Sequence, residues 1–343
     1  MKSEPLVVQV GPVTSMPGGI AAVIEQYLSM DLGSRHSVAY ASYWPGRPVR
    51  GLLSAAAFPL WVTARHRRRS TIVHVHLSEG GSFVREGFIA RSAHRLGFRV
   101  AVTLHGAGFV DHVDRHPSSA RGVLQAADVV FCLGENHADV VRKLTGEARV
   151  VRVLNPVDIH RRGGDDRQAR RTVVFGGEVG TRKGVDRLLA AWPDVLRRVP
   201  DAELVVCGPN TGEVVLPDGI DYRGVLGREE LRVVLASATV ACLPSRQEVL
   251  PMFILESLAE GTPVVATTAG EWRSFDGASD NITWVGNDDA TVVSNLAEAL
   301  IEALSNPRRA SGATERWLLE HASTEAVAQT LRTSYGRLSG ETQ

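Results

Sequence analysis

Short aliphatic runs alternate with longer stretches of helical periodicity along almost the whole chain. In the first half the runs are Leu6–Val10, Ser37–Ser42, Ile72–His76, Val100–Leu104, Val129–Leu133 and Val150–Leu154, with helical patterns such as Gly19–Met30 and Gly80–Leu96 between most of them. In the second half they are Thr172–Phe175, Leu204–Cys207, Ile220–Tyr222, Val240–Leu243, Val264–Thr267 and Ile282–Val285. Strands this short and apolar, separated by helices, belong to parallel sheets covered on both faces. The pattern predicts an α/β protein with two doubly wound, Rossmann-like domains. Asp158–Arg171, with eight charged residues and two glycines, reads as the linker. The expected domains are 1–160 and 171–315, with a terminal helix, 316–343, packing back towards the first. Ligands of open α/β sheets bind beyond the carboxyl ends of the strands, so two such sheets would share a central cleft.

Composition narrows the picture. The 343 residues carry 38 Lys+Arg and 38 Asp+Glu, a balance that argues against general nucleic-acid binding. The balance hides an asymmetry: residues 1–171 hold 23 basic and 14 acidic side chains, and residues 172–343 hold 15 and 24. A basic half faces either something anionic, such as a membrane surface or phosphorylated acceptor, or the acidic half itself. Leu52–Arg69 joins an apolar stretch to Arg65, Arg67, Arg68 and Arg69. It reads equally as an ordinary amphipathic helix or as one resting on an anionic membrane. Cys132, Cys207 and Cys242 lie in or at the ends of apolar runs without Cys-x-x-Cys spacing, which fits small buried hydrophobes in a reducing compartment. The longest apolar stretch, Leu52–Val62, is too short to span a bilayer, and the expected location is cytoplasmic, peripheral to a membrane at most.

The most specific segment is Pro244–Gly270, PSRQEVLPMFILESLAEGTPVVATTAG. Glu248 sits in a loop, Pro251 precedes a helix predicted over Met252–Glu260, and Glu256 lies inside that helix. A helix N-terminus offers free N–H groups and a positive dipole end to a diphosphate. A carboxylate one turn further in can accept hydrogen bonds from two ribose hydroxyls. A second segment, Val174–Leu189, ends a strand in Gly176-Gly177 and opens a helix near Gly184, with Arg182 and Lys183 just before it. Cations beside helix amides make an anion site. Lys183 is conspicuous because the chain contains only three lysines.

The Pro244–Gly270 string resembles the donor-site signature of glycosyltransferase family 4, a retaining family with the GT-B fold. The resemblance implies that Glu256 holds a ribose, that Glu248 sits near the donor sugar and the reacting centre, and that Leu250, Pro251, Met252, Phe253 and Ile254 line the diphosphate. Gly177, Arg182 and Lys183 resemble the family's diphosphate-neutralising loop, with Glu178 standing where the family has Arg. Gly18 and Gly19 resemble its glycine pair after the first strand. His105, at the end of a predicted strand, matches a family histidine near the donor sugar, where an imidazole can donate a hydrogen bond to a sugar hydroxyl or to developing charge. Val225 and Leu226 lie where loop shape sets the donor. Asn155-Pro156-Val157-Asp158 resembles the family's domain crossover, with Pro156 in place of Gly, and reads as a hinge.

The implied reaction moves a sugar from a UDP- or GDP-linked donor to an acceptor hydroxyl with retention, in polysaccharide or glycoconjugate synthesis. The acceptor would be a glycan, a lipid-linked saccharide or a small molecule. No Asp-x-Asp pair is present, so no metal and no cofactor beyond the nucleotide sugar are expected. His74 and His76 share one strand face at metal-ligand spacing but lack further ligands. The chain has no G-x-G-x-x-G after its first strand and no P-loop, which argues against nicotinamide and nucleoside-triphosphate enzymes. The rivals are an epimerase or phosphorylase on the same fold, and a non-catalytic partner that binds nucleotide or membrane and serves another transferase.

Overall fold

The computed structural model describes residues 5–16, 18–33, 36–159, 171–308 and 310–340. The predicted linker falls largely outside the described residues. The chain divides into two compact units, Met1–Pro156 with Thr324–Gln343, and Val157–Ser323.

The first unit holds strands β1 (Leu6–Pro12), β2 (His36–Tyr43), β3 (Thr71–Leu77), β4 (Arg99–Leu104), β5 (Val129–Cys132) and β6 (Val150–Arg152). Its helices are α1 (Gly19–Ser29), α2 (Pro48–Arg65), α3 (Gly81–Arg95), α4 (Phe109–Arg115), α5 (Pro117–Leu124) and α6 (Glu135–Thr145). The second unit holds β7 (Arg171–Gly176), β8 (Ala202–Cys207), β9 (Asp221–Gly224), β10 (Val240–Leu243), β11 (Val264–Thr267) and β12 (Ile282–Val285). Helices α7 (Val185–Arg198), α8 (Arg228–Ser237), α9 (Met252–Ala259), α10 (Val292–Ser305) and α11 (Gly312–His321) cover it, and α12 (Thr324–Ser339) returns to the first unit.

Both sheets are six-stranded, ordered β2-β1-β3-β4-β5-β6 and β12-β11-β10-β7-β8-β9, with parallel pairing throughout. Each order reverses once, between β1 and β3 in the first sheet and between β7 and β10 in the second. Loops leaving adjacent strands at such a point run in opposite directions and open a crevice. The paired, doubly wound architecture is therefore the one predicted.

Alternation along the strands gives the first sheet two different faces. One presents Val8, Val10, Val73, Val75, Leu77, Val100, Val102 and Leu104 to a core that includes Phe58 of α2, Phe83 and Ile89 of α3, and Val123 of α5. The other carries a polar row, Gln9, His74, His76 and Thr103, all buried, beside Tyr27 of α1 and Tyr335 of α12.

One expectation needs correcting. Within the described part, 316–340, the expected single helix is divided between α11 and α12, and the return to the first unit begins at Thr324. Ala322 leaves the helical conformation, and its carbonyl accepts a hydrogen bond from the Val157 N–H (2.8 Å). Val157 and Ser323 form an isolated parallel bridge, so the two places where the chain changes unit lie side by side. α11 stays with the second unit, packed on α9 and the 3-10 segment Trp272–Asn281.

Candidate functional site

The second unit brings its sequence-predicted residues together where the strand order reverses. After β7 the chain passes Gly176 and Gly177, turns through a 3-10 segment at Thr181–Lys183, and enters α7. After β10 it runs through Pro244 and Ser245 to Glu248 and then into α9. The two loops are locked to each other. Arg246 N donates to the Arg182 carbonyl (3.0 Å), and the Arg246 guanidinium grips Asp186 of α7 with two bonds of 2.8 Å. Gly184 makes this closeness possible: its φ is +74°, and a Cβ there would lie 1.9 Å from the Pro244 carbonyl oxygen. Gly176 gives room in another way, since the Phe253 ring occupies the space its Cβ would fill.

At the centre lies an ion pair. Lys183 Nζ donates to Glu248 Oε1 (2.5 Å), and Ser245 Oγ donates to the same oxygen (2.8 Å). Both charged side chains are mostly covered. The Ser245 carbonyl is fixed in turn by Thr267 Oγ1 at the end of β11 (2.5 Å). Ser245, Glu248, Pro251, Ile254 and Thr267 line a small concavity there. Arg182 is exposed, and its guanidinium has no partner among the described residues. Glu178 is half-buried, and near it Glu213 accepts from both the N–H and the hydroxyl of Thr181. This loop thus carries acid as well as base.

α9 supplies the other half of the site. Pro251 precedes it, and among its first-turn amides that of Ile254 is satisfied by the Pro251 carbonyl (3.2 Å). The amides of Met252 and Phe253 meet no acceptor among the described residues, which leaves two donors and the helix dipole for an anion. Leu250, Phe253 and Ile254 have buried side chains, so only their backbone is open to a ligand. Glu256 is partly covered, and its side chain makes no hydrogen bond among the described residues. Burial raises its carboxyl to about 7, against the opposing charge of Arg228. Val225 is exposed and Leu226 half-buried in the loop after β9, the outer strand on that side of the sheet.

The remaining candidates belong to the first unit. Gly18, with φ +141°, and Gly19 are exposed where α1 begins. His105 follows β4 and is half-buried. Its Nε2 lies 2.9 Å from His76 Nδ1, and its own N–H donates to the Leu77 carbonyl (2.7 Å). Burial lowers its imidazole to about 3. His74 and His76 stack at 4.6 Å, and the ring nitrogens of each lie within hydrogen-bond distance of neighbouring side chains. Among the described residues no group of three His, Cys, Asp or Glu side chains is placed to hold a metal. Sequence reasoning missed Arg246 and Asp186, whose pairing joins the two loops. It also missed Gln9, a lone amide in an aliphatic strand, for which that isolation was the available signal.

Residues 170–306 match the family described as Glycosyl transferases group 1. The D-inositol 3-phosphate glycosyltransferase of Segniliparus rotundus is 27% identical over 320 residues, covering 87% of this chain and 60% of that protein. The chain thus spans less than two thirds of that relative's length. Sucrose-phosphate synthase from Thermosynechococcus elongatus superposes with a TM-score of 0.76 at 15% identity, over 98% of this chain and all of that one. HepE of Anabaena, in complex with UDP-glucose, gives 0.72 at 13% identity, over 97% and 99%. These likenesses establish the GT-B fold.

The carboxyl of Glu256 makes a prediction independent of any ligand. Its folded value of about 7 lies above the ordinary 4.5, so folding favours the protonated acid. The stability this gives is present below pH 4.5, declines through the window to 7, and is gone above it. Glu256→Gln, which stays neutral, is expected to match the native chain in urea denaturation at pH 4.5. At pH 8 it should exceed it by roughly 2–3 kcal/mol.

Proposed function

Since residues 170–306 belong to the group 1 glycosyltransferases, we propose that the protein transfers a sugar from a UDP- or GDP-linked donor to an acceptor hydroxyl, with retention. The observation that carries this reading is the meeting of Lys183, Glu248, the free amides of α9 and Glu256 at the reversal of strand order in the second sheet. The diphosphate would lie on the Met252 and Phe253 amides, with Lys183 and the exposed Arg182 neutralising charge that builds up on the leaving group. Lys183 would exchange part of its bond to Glu248 for the phosphate, freeing that carboxylate for the donor sugar. Ionised Glu256 would accept from both ribose hydroxyls. Under this reading the protein's own cations and dipoles replace a metal. The departing phosphate would help deprotonate the acceptor on the same face, and His105 would contact the sugar.

Polysaccharide or glycoconjugate synthesis at a membrane is the setting we propose. Val49, Leu52, Leu53 and Leu60 of α2 are exposed, and Val84 and Phe88 of neighbouring α3 are exposed too. Arg47, Arg50, Arg65, Arg67 and Arg68 flank the apolar face, and residues 32–78 contain no acid. Leucines between arginines suit the headgroup region of an anionic bilayer. No helix among the described residues is long and apolar enough to cross a membrane.

Isothermal calorimetry in EDTA tests the donor site. UDP or GDP and one of their sugars should bind, with Glu256→Ala weakening binding about 10- to 100-fold, the loss of hydrogen bonds to a charged group. Ribose hydroxyls favour the ionised carboxylate, so binding of the nucleotide sugar should tighten from pH 6 to pH 8. Equal binding by the variant, or none by the native chain, would leave the non-catalytic rival standing. For the membrane, co-sedimentation with phosphatidylglycerol vesicles but not phosphatidylcholine ones is expected, weakening with salt and lost in Leu53→Glu/Leu60→Glu. Indifference to lipid charge would remove this part of the proposal.

A further inference from the structure

Two fully buried imidazoles and an amide stand on one face of the first sheet, where aliphatic side chains would cost nothing in desolvation. The row is ordered by its chemistry. With the Gln9 amide oriented so that Oε1 lies 3.0 Å from His76 Nε2, the facing oxygen can only accept, and that orientation puts the proton of His76 on Nε2. Burial and the neighbouring imidazoles hold His76 well below its ordinary value, so the ring is neutral and its Nδ1 is a bare lone pair. That lone pair faces His105 Nε2 at 2.9 Å, which must therefore carry a hydrogen and donate it. His105 is also neutral, chiefly through burial, with the neighbouring His137 imidazole acting in the same direction. Its remaining nitrogen, Nδ1, is then an acceptor, and it meets no protein donor among the described residues.

We infer that Gln9 and His76 are positioning residues that fix His105 in the Nε2–H tautomer, presenting Nδ1 as a hydrogen-bond acceptor to the ligand. The group His105 recognises is then a hydroxyl, and a phosphate oxygen or developing anion is disfavoured, because two lone pairs would oppose each other. This reverses the donor role read for His105 from the sequence. It rests on the glycosyltransferase reading only for the identity of the ligand. The tautomer is a property of the free chain. Reversing the Gln9 amide would turn every proton in the row, so one side chain, remote from any ligand, sets which chemistry His105 offers.

The test is nitrogen NMR of the full chain labelled with 15N-histidine, with the His105 signals assigned by their loss in His105→Asn. The native chain is expected to show a protonated, pyrrole-type Nε2 and a pyridine-type Nδ1 for His105. Gln9→Met, close in shape but unable to accept, should convert this to a mixture of tautomers. His76→Leu should do the same and serves if Gln9→Met does not fold. With whichever of UDP-glucose and GDP-mannose binds by calorimetry, the Nδ1 signal should move as for an accepted hydrogen bond while Nε2 keeps its proton. A proton on Nδ1 in either the free chain or the complex, or an unchanged tautomer in both variants, overturns the inference. Failure of both nucleotide sugars to bind would count against the proposed function and leave the tautomer result intact.

Discussion

The reversal of strand order between β7 and β10 is the constraint on which the second unit depends. Parallel strands on either side of it send their loops in opposite directions, and the gap left between them cannot be filled by the sheet itself. The chain spans that gap with charge: Lys183 from one loop on Glu248 from the other, and Arg246 on Asp186. The backbone approach at Gly184 sets how close the loops come. A site assembled this way is already ordered before anything binds. Its central ion pair joins two groups that a diphosphate and a sugar would compete for. Breaking one charge pair to make another changes the free energy less than ordering a loose loop would.

Glu256 shows the tension between stability and use. Its burial raises the acid, so the folded chain at neutral pH carries a carboxyl with no hydrogen bond of its own among the described residues. A fold optimised for stability alone would place an amide or an apolar side chain there. The polar row of the first sheet makes the same point. Gln9, His74, His76 and Thr103 occupy positions whose counterparts on the opposite face are aliphatic, and each must find a partner inside the protein. Tyr335 supplies one of them, with its hydroxyl 2.6 Å from His74 Nδ1, so α12 is tied to the first unit by a hydrogen bond as well as by its apolar face.

Much of this was legible in the sequence because aliphatic runs and turn residues report local structure directly. The observed strands coincide with the predicted runs to within a residue or two, and α9 and its preceding proline stand where the pattern placed them. The break at Ala322 was not legible, since a helical period cannot reveal that a carbonyl will be taken by Val157, far away in the chain. Arg246 and Asp186 were missed for the same reason: a pairing across 60 residues leaves no local trace. His74 and His76 were seen to share a face, but their partners Gln9, Thr103, His105 and Tyr335 come from β1, the β4 region and α12. Only the register of the strands brings them together.

A nucleoside diphosphate bound where β7 and β10 diverge would leave its mark on amide hydrogen exchange of the whole chain, compared with and without UDP or GDP. Slowed exchange on nucleotide addition is expected in residues 176–184 and 248–256. Protection elsewhere with these segments unchanged, or no nucleotide-dependent protection at all, would contradict it.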